Sequence, residues 1–167
     1  TPDQRVGLSG MRGFEKKIIS RGFSLVELLV VIALISIVMA FGIPAWQNYR
    51  TNTDLKTAAR EIMADIANAK QRAVTENVDA YRVTFNVGGN SYALTRTDGV
   101  TTGTWNKSLA GYGNVSIASV TFGGSAISLQ KRGTATNGTL VLQNTLGSTA
   151  TITVNITGRT YVDFDIH

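Results

Sequence analysis

The chain has 167 residues, enough for one domain and an appendage, and its 43% hydrophobic and 16% charged residues suit a folded protein. It contains no cysteine, which excludes disulfides, thiol chemistry and cysteine-based metal sites. The formal charge of +5 is concentrated before Phe23, where Arg5, Arg12, Lys16, Lys17 and Arg21 outnumber Asp3 and Glu15; the remainder carries 11 basic and 9 acidic residues, a balance of +2 that argues against nucleic acid as the obvious partner.

Phe23 to Ile43 is an apolar run whose polar side chains are Ser24, Glu27 and Ser36. As a helix its 21 residues span about 31 Å at ~1.5 Å per residue, against a hydrocarbon layer about 30 Å thick. A transmembrane helix is predicted. Arg12, Lys16, Lys17 and Arg21 lie just before it and few cations follow closely, so the N-terminus is expected on the cytoplasmic side and the body outside. A cleaved secretory signal fits poorly, because the run is too long and Phe41-Gly42-Ile43-Pro44 is a poor cleavage site of that kind. A plain anchor leaves Glu27 without a purpose, since a carboxylate in lipid costs a few kcal/mol or more.

Gly42 and Pro44 close the anchor, and a kink or loosening is predicted there because proline removes a backbone donor and crowds the preceding turn. The helix is expected to resume to about residue 77. Leu55, Ala58, Ala59, Ile62, Ile66, Ala69 and Ala73 recur at three- and four-residue spacing and form a core-facing stripe. Lys56, Arg60, Glu61, Asp65 and Lys70 lie opposite.

From Ala80 the period falls to two. Tyr81, Val83, Phe85 and Val87 alternate with polar residues, Gly88-Gly89-Asn90 turns the chain, and Tyr92 and Leu94 continue the return strand of a hairpin. Asp98 to Asn106 reads as a loop. Further strands are predicted over 114–122, 126–130, 139–143, 150–157 and 160–164, with a bulge near Ala118, where the apolar parity slips. The fold class is α+β: a long, kinked N-terminal helix, transmembrane in its first half, packed on an antiparallel sheet or two-sheet sandwich. Four stretches follow: a leader over 1–22, the membrane half of the helix over 23–44, its soluble half over 45–78, and a β-rich head over 79–167.

Gly22-Phe23-Ser24-Leu25-Val26-Glu27-Leu28 closely resembles the processing motif of type IV pilins and type II secretion pseudopilins. The resemblance implies cleavage after Gly22 by a membrane prepilin peptidase and methylation of the new N-terminus at Phe23. It places Glu27 fifth in the mature chain, where it neutralises the Phe23 amine of an adjacent subunit during assembly. It also implies a leader of twelve residues from Met11, the residues before Met11 preceding the true start. Partners implied are other pilins, the inner-membrane assembly platform and the lipid bilayer. Ile127 to Gly133, Asn137 to Leu140, Ile152 to Val154 and Thr157-Gly158-Arg159 resemble the body of the GspH/FimT-like minor pilins, which implies a low-abundance subunit near a filament tip. The sequence does not separate a pilus from a secretion pseudopilus.

The remaining constellations are weak. His167 lacks an apparent partner and reads as a frayed end; Asp163 and Asp165 share a face but are too few oxygen ligands for calcium. Four Asn-X-Ser/Thr triplets are expected by chance in so Thr- and Asn-rich a chain, and Gly111-Tyr-Gly113 lacks the setting of a phosphate loop. No catalytic residue, metal site or cofactor is indicated. Lys131, Arg132 and Arg159 are a candidate nucleic-acid patch, and the alternative function is a tip module for DNA uptake or adhesion; the acidic tail, with Asp163 and Asp165, speaks against it.

Overall fold

The computed structural model describes residues 23–98 and 102–167. The leader, the Met11 start and Gly22 lie outside the described residues. One helix, α1, runs Leu25–Thr75 and is followed by eight strands: β1 Tyr81–Asn86, β2 Ser91–Thr97, β3 Thr102–Ser108, β4 Val115–Val120, β5 Ala126–Leu129, β6 Gly138–Asn144, β7 Thr149–Val154 and β8 Thr160–Asp165. They form two antiparallel four-stranded sheets with orders β3-β2-β1-β5 and β4-β6-β7-β8. The described residues divide into two compact units, with the boundary between residues 40 and 41.

In α1 every residue from Leu25 to Arg50 is exposed, and burial begins at Thr51. Helix continues through Gly42 and Pro44, so the expected kink site lies inside one element. Beyond it, the predicted stripe is the core face: Leu55, Ala58, Ala59, Ile62, Ile66, Ala69 and Ala73 are at most 2% exposed. They join Val83, Phe85, Ile127 and Leu129 of the first sheet and Leu140, Leu142, Ile152 and Val154 of the second in one cluster. Removing such area from water is the main stabilising term, at about 25 cal/mol per Å². Asn77, at φ 54°, ends the helix in the left-handed region, with the Val78 amide donating to the Ala73 carbonyl at 3.1 Å.

The predicted bulge is present: the β4–β6 register shifts between Ile117 and Ser119, leaving Ala118 out. The hairpin turn ends at Asn90, also left-handed at φ 46°, whose side chain donates to the Val115 carbonyl at 2.7 Å and accepts from the Ile117 amide at 2.9 Å. That one amide ties the first sheet's hairpin to the edge of the second. The loop expected over 98–106 is corrected from Thr102 onward, where β3 pairs with β2 along Thr102 to Ser108.

Glu61 and Asp65, opposite the stripe, are engaged by the strands: Lys107 of β3 lies 2.9 Å from Glu61 and 2.8 Å from Asp65, Tyr92 donates to Asp65 at 2.6 Å, and Tyr112 donates to Glu61. One further expectation is overturned. His167 is not frayed. Its amide donates to Ser148 Oγ at 3.0 Å and its carbonyl accepts from Asn52 Nδ2 at 3.1 Å, while Asn52 Oδ1 accepts from Asn144 and Ser148.

Candidate assembly site

The exposed, apolar first half of α1 opens at Ser24-Leu25-Val26-Glu27. Ser24 directly precedes the helix, and its carbonyl accepts the first intrahelical bond, from the Leu28 amide at 3.1 Å. Glu27 lies in the first turn. Ser-X-X-Glu at these positions is the capping-box sequence, and an acid in the first turn also meets the positive end of the helix dipole. This local reason for Ser24 and Glu27 was readable in the spacing and is additional to any role between subunits.

The rest of the span satisfies itself. Ser36 donates its hydroxyl to the Ile32 carbonyl at 2.7 Å, so it adds no unmet polar group to an apolar surface. Among the described residues, Glu27 has no ion pair and no side-chain hydrogen bond. A lone carboxylate near the start of an exposed apolar rod therefore requires either water, headgroups or a cation from another molecule. Phe23, whose backbone nitrogen would become the chain terminus after cleavage at Gly22, is exposed.

The strands are fixed to the second half of α1 at two flanks. On one, Lys107 bridges Glu61 and Asp65. Hydrogen bonds donated by Lys107 and then Tyr112 hold the Glu61 carboxyl below its usual range, and the bonds Lys107 donates to Asp65 and then Glu61 hold its ammonium above its usual range. Burial first, and then the bond to Asp65, push the Tyr92 hydroxyl strongly up, so it stays protonated as a donor. On the other flank Lys70 donates to the carbonyls of Thr157 at 3.3 Å and Gly158 at 3.1 Å.

Lys131, Arg132 and Arg159 stand on two neighbouring turns, joined by the Ala135 amide donating to the Ile156 carbonyl at 3.1 Å. Gly133 (φ 80°) and Gly158 (φ 67°) face each other between them, with the Lys70 stem beside both. The cations differ in availability. Lys131 lies against Asp79, its amide 2.7 Å and its ammonium 3.7 Å away, whereas Arg132 and Arg159 are exposed and form no ion pair among the described residues. Asp163 and Asp165 point outward from β8, and no group of three or more potential metal-binding side chains stands together among the described residues.

Comparison with known proteins adds two profile matches: the prokaryotic N-terminal methylation motif over residues 19–43 and the type II transport protein GspH over residues 58–158. A fimbrial protein of Pseudomonas aeruginosa is 38% identical over 56 residues, 34% of this chain and 36% of that protein. Prepilin peptidase-dependent protein D of Escherichia coli (strain K12) is 66% identical over 29 residues, 17% of this chain and 20% of the relative. The chain thus spans about a third of the fimbrial relative's length. Among solved structures, the minor pseudopilin EpsH from the type 2 secretion system of Vibrio cholerae superposes with a TM-score of 0.55 at 13% identity, covering 66% of this chain and 96% of that one. That likeness concerns the fold: a long helix packed on two antiparallel sheets.

Proposed function

The chain belongs to the GspH family of type II transport proteins, and on that premise we propose that it is a minor pilin or pseudopilin, a structural subunit added to a type IV pilus or type II secretion pseudopilus. The observation that carries the reading is Glu27: a carboxylate without an ion-pair partner among the described residues, four residues after Phe23, inside a matched N-terminal methylation motif.

In this reading a prepilin peptidase cuts between Gly22 and Phe23 and methylates the Phe23 amine, which keeps its positive charge. The basic flank holds the N-terminus in the cytoplasm while the head, residues 79–167, is exported. The span over 23–44 anchors the subunit in the inner membrane, and residues 45–78 carry the head. At the assembly platform Glu27 meets the Phe23 amine of the next subunit. Leaving either charge alone in an apolar bundle costs roughly 3–5 kcal/mol, so the pair sets axial register while the apolar surface supplies adhesion. Gly42 and Pro44 are where the helix loosens as the subunit enters the filament, and the subunit's place is near the tip. The test is mass spectrometry of the mature chain together with filament isolation. A mature N-terminus at methylated Phe23 and presence in sheared filaments support the reading; a chain that begins upstream of Phe23 beside assembled filaments overturns it.

A second reading, a tip module that takes up DNA, draws on the adjacency of the two basic turns. Arg132 and Arg159 are free to meet phosphates, but Asp79 already engages Lys131. Gel shifts of the head at two salt concentrations decide it: salt-sensitive retention lost in an Arg132→Ala/Arg159→Ala variant supports this module, and no retention at low salt removes it.

A further inference from the structure

Between the apolar span and the first core residue of α1 lies a stretch that belongs to neither. The apolar run ends at Ile43 and burial begins at Thr51. Within that interval Trp46 and Tyr49 are 67% and 66% exposed, one helical turn apart on the same face, with ring centroids 6.1 Å apart and planes tilted by 35°. Arg50 follows immediately and is also exposed. The chain's other tryptophan, Trp105, differs: it lies on β3 with the Arg72 guanidinium 5.9 Å from its ring.

Large aromatic rings are costly to leave in water, and the head's core offers this pair no place. Along the helix Trp46 lies about 4.5 Å and Tyr49 about 9 Å past Ile43, which is the depth of the headgroup layer when the apolar run fills the hydrocarbon. Rings with a polar N–H or O–H are favoured at that boundary, where their apolar bodies leave water and their polar edges keep it. A cation placed next to them can reach lipid phosphates with its tip while its stem stays against the apolar region.

We infer that Trp46, Tyr49 and Arg50 form a membrane-interface anchor, seated among phospholipid headgroups on the side that carries the head, and that it fixes how deeply the unassembled subunit sits. The anchor rests on the reading of α1 as a membrane span. It is continuous with that span, and the guanidinium of Arg50 complements anionic headgroups. The seating places Gly42 and Pro44 inside the bilayer boundary and keeps the head, whose burial begins at Thr51, outside it.

The test reconstitutes the full chain in vesicles of phosphatidylethanolamine and phosphatidylglycerol. Trp105→Phe leaves Trp46 as the sole tryptophan, read by excitation at the red edge where tyrosine does not absorb. We expect blue-shifted emission, quenched about twofold more by lipids brominated near the headgroup than by lipids brominated near the bilayer centre, and independent of protein density. Because the chain lacks cysteine, single cysteines placed from residue 40 to 50 report the water boundary through an impermeant maleimide. In Trp46→Ala/Tyr49→Ala that boundary should move by about one helical turn. Water-like Trp46 emission in a chain retained by vesicles, or an unmoved boundary, overturns the anchor alone. A blue shift that grows with protein density assigns the rings to a neighbouring subunit and overturns it too. Release of the chain by alkaline wash overturns the membrane span and the anchor together.

Discussion

Gly133 and Gly158 meet across two turns so closely that a Cβ on Gly158 would strike the Gly133 carbonyl oxygen and the end of the Lys70 side chain. Both residues have left-handed φ, which only glycine adopts without strain. The glycines of Lys131-Arg132-Gly133 and Thr157-Gly158-Arg159 therefore have a structural use: they let two turns close around Lys70 of α1, whose ammonium donates to the carbonyls of Thr157 and Gly158. Gly158→Ala should destabilise the head by about 2–3 kcal/mol, from backbone strain plus the clash. Lys70→Met should cost about 1 kcal/mol, the worth of its hydrogen bonds. Urea denaturation of the detergent-solubilised chain reads both, and a neutral Gly158→Ala would show that the turns move apart at little cost.

Two roles are proposed for Glu27, the acid of a capping-box sequence and the partner of a neighbour's amine, and one substitution distinguishes them. Glutamine completes a capping box as glutamate does but carries no charge. Glu27→Gln should therefore preserve the helix start and membrane insertion, yet reduce filament incorporation as severely as Glu27→Ala, by tenfold or more for roughly 3 kcal/mol of lost pairing. Recovery of the variants in sheared filaments measures this. If glutamine restores incorporation, the acid serves the helix terminus and the pairing between subunits is wrong.

The Lys107 bridge makes the head's stability depend on pH in two windows. The Glu61 carboxyl is held below its ordinary value, so its contribution is present at neutral pH, complete above the unfolded value near 4.5, and lost as pH falls through the lower folded value. The Lys107 ammonium is held above its ordinary value, so its contribution is complete below the unfolded value near 10.5 and lost as pH rises through the higher folded one. Lys107→Met should cost about 1–2 kcal/mol at neutral pH, because it leaves Asp65 with Tyr92 alone, and should flatten the acid limb. Denaturation midpoints between pH 3 and pH 7 test the sign.

Asn90 joins the two sheets through one side-chain amide, donating to Val115 and accepting from Ile117. Asn90→Ala removes both bonds and also places alanine at positive φ; a loss of about 2 kcal/mol is expected. Asn90→Gly relieves the backbone and should recover a few tenths to 1 kcal/mol of it. Equal losses in the two variants would assign the whole effect to the side-chain bonds.

Much of this architecture is visible in the residues themselves, because one physical requirement dominates each element. The stripe from Leu55 to Ala73 must face a core, and the hairpin from Tyr81 alternates because one side is buried. The parity slip at Ala118 betrays the bulge because apolar residues on both sides of it must still point inward. β3 escapes the same logic. It is an edge strand whose partly covered positions are Gly103 and Lys107, and its value to the fold is a backbone ladder with β2 plus an ammonium for Glu61 and Asp65, so no apolar alternation marks it. The partner of Glu61 and Asp65 is hidden in the sequence for the matching reason: it lies on a strand some forty residues away. His167 looked free because what fixes it is its backbone, held by Ser148 and Asn52, and main-chain bonding leaves no trace in residue type.

No residue from Leu25 to Arg50 is buried within the chain, whereas the cluster beginning at Leu55 is closed on itself. Selection on the two stretches therefore answers to different judges. A change in the rod is accepted or refused by lipids and neighbouring molecules, while a change beneath the strands is judged by the folding of this polypeptide alone. The buried cluster takes no side chain from the rod, so a substitution there is expected to leave the packing beneath the strands as it is.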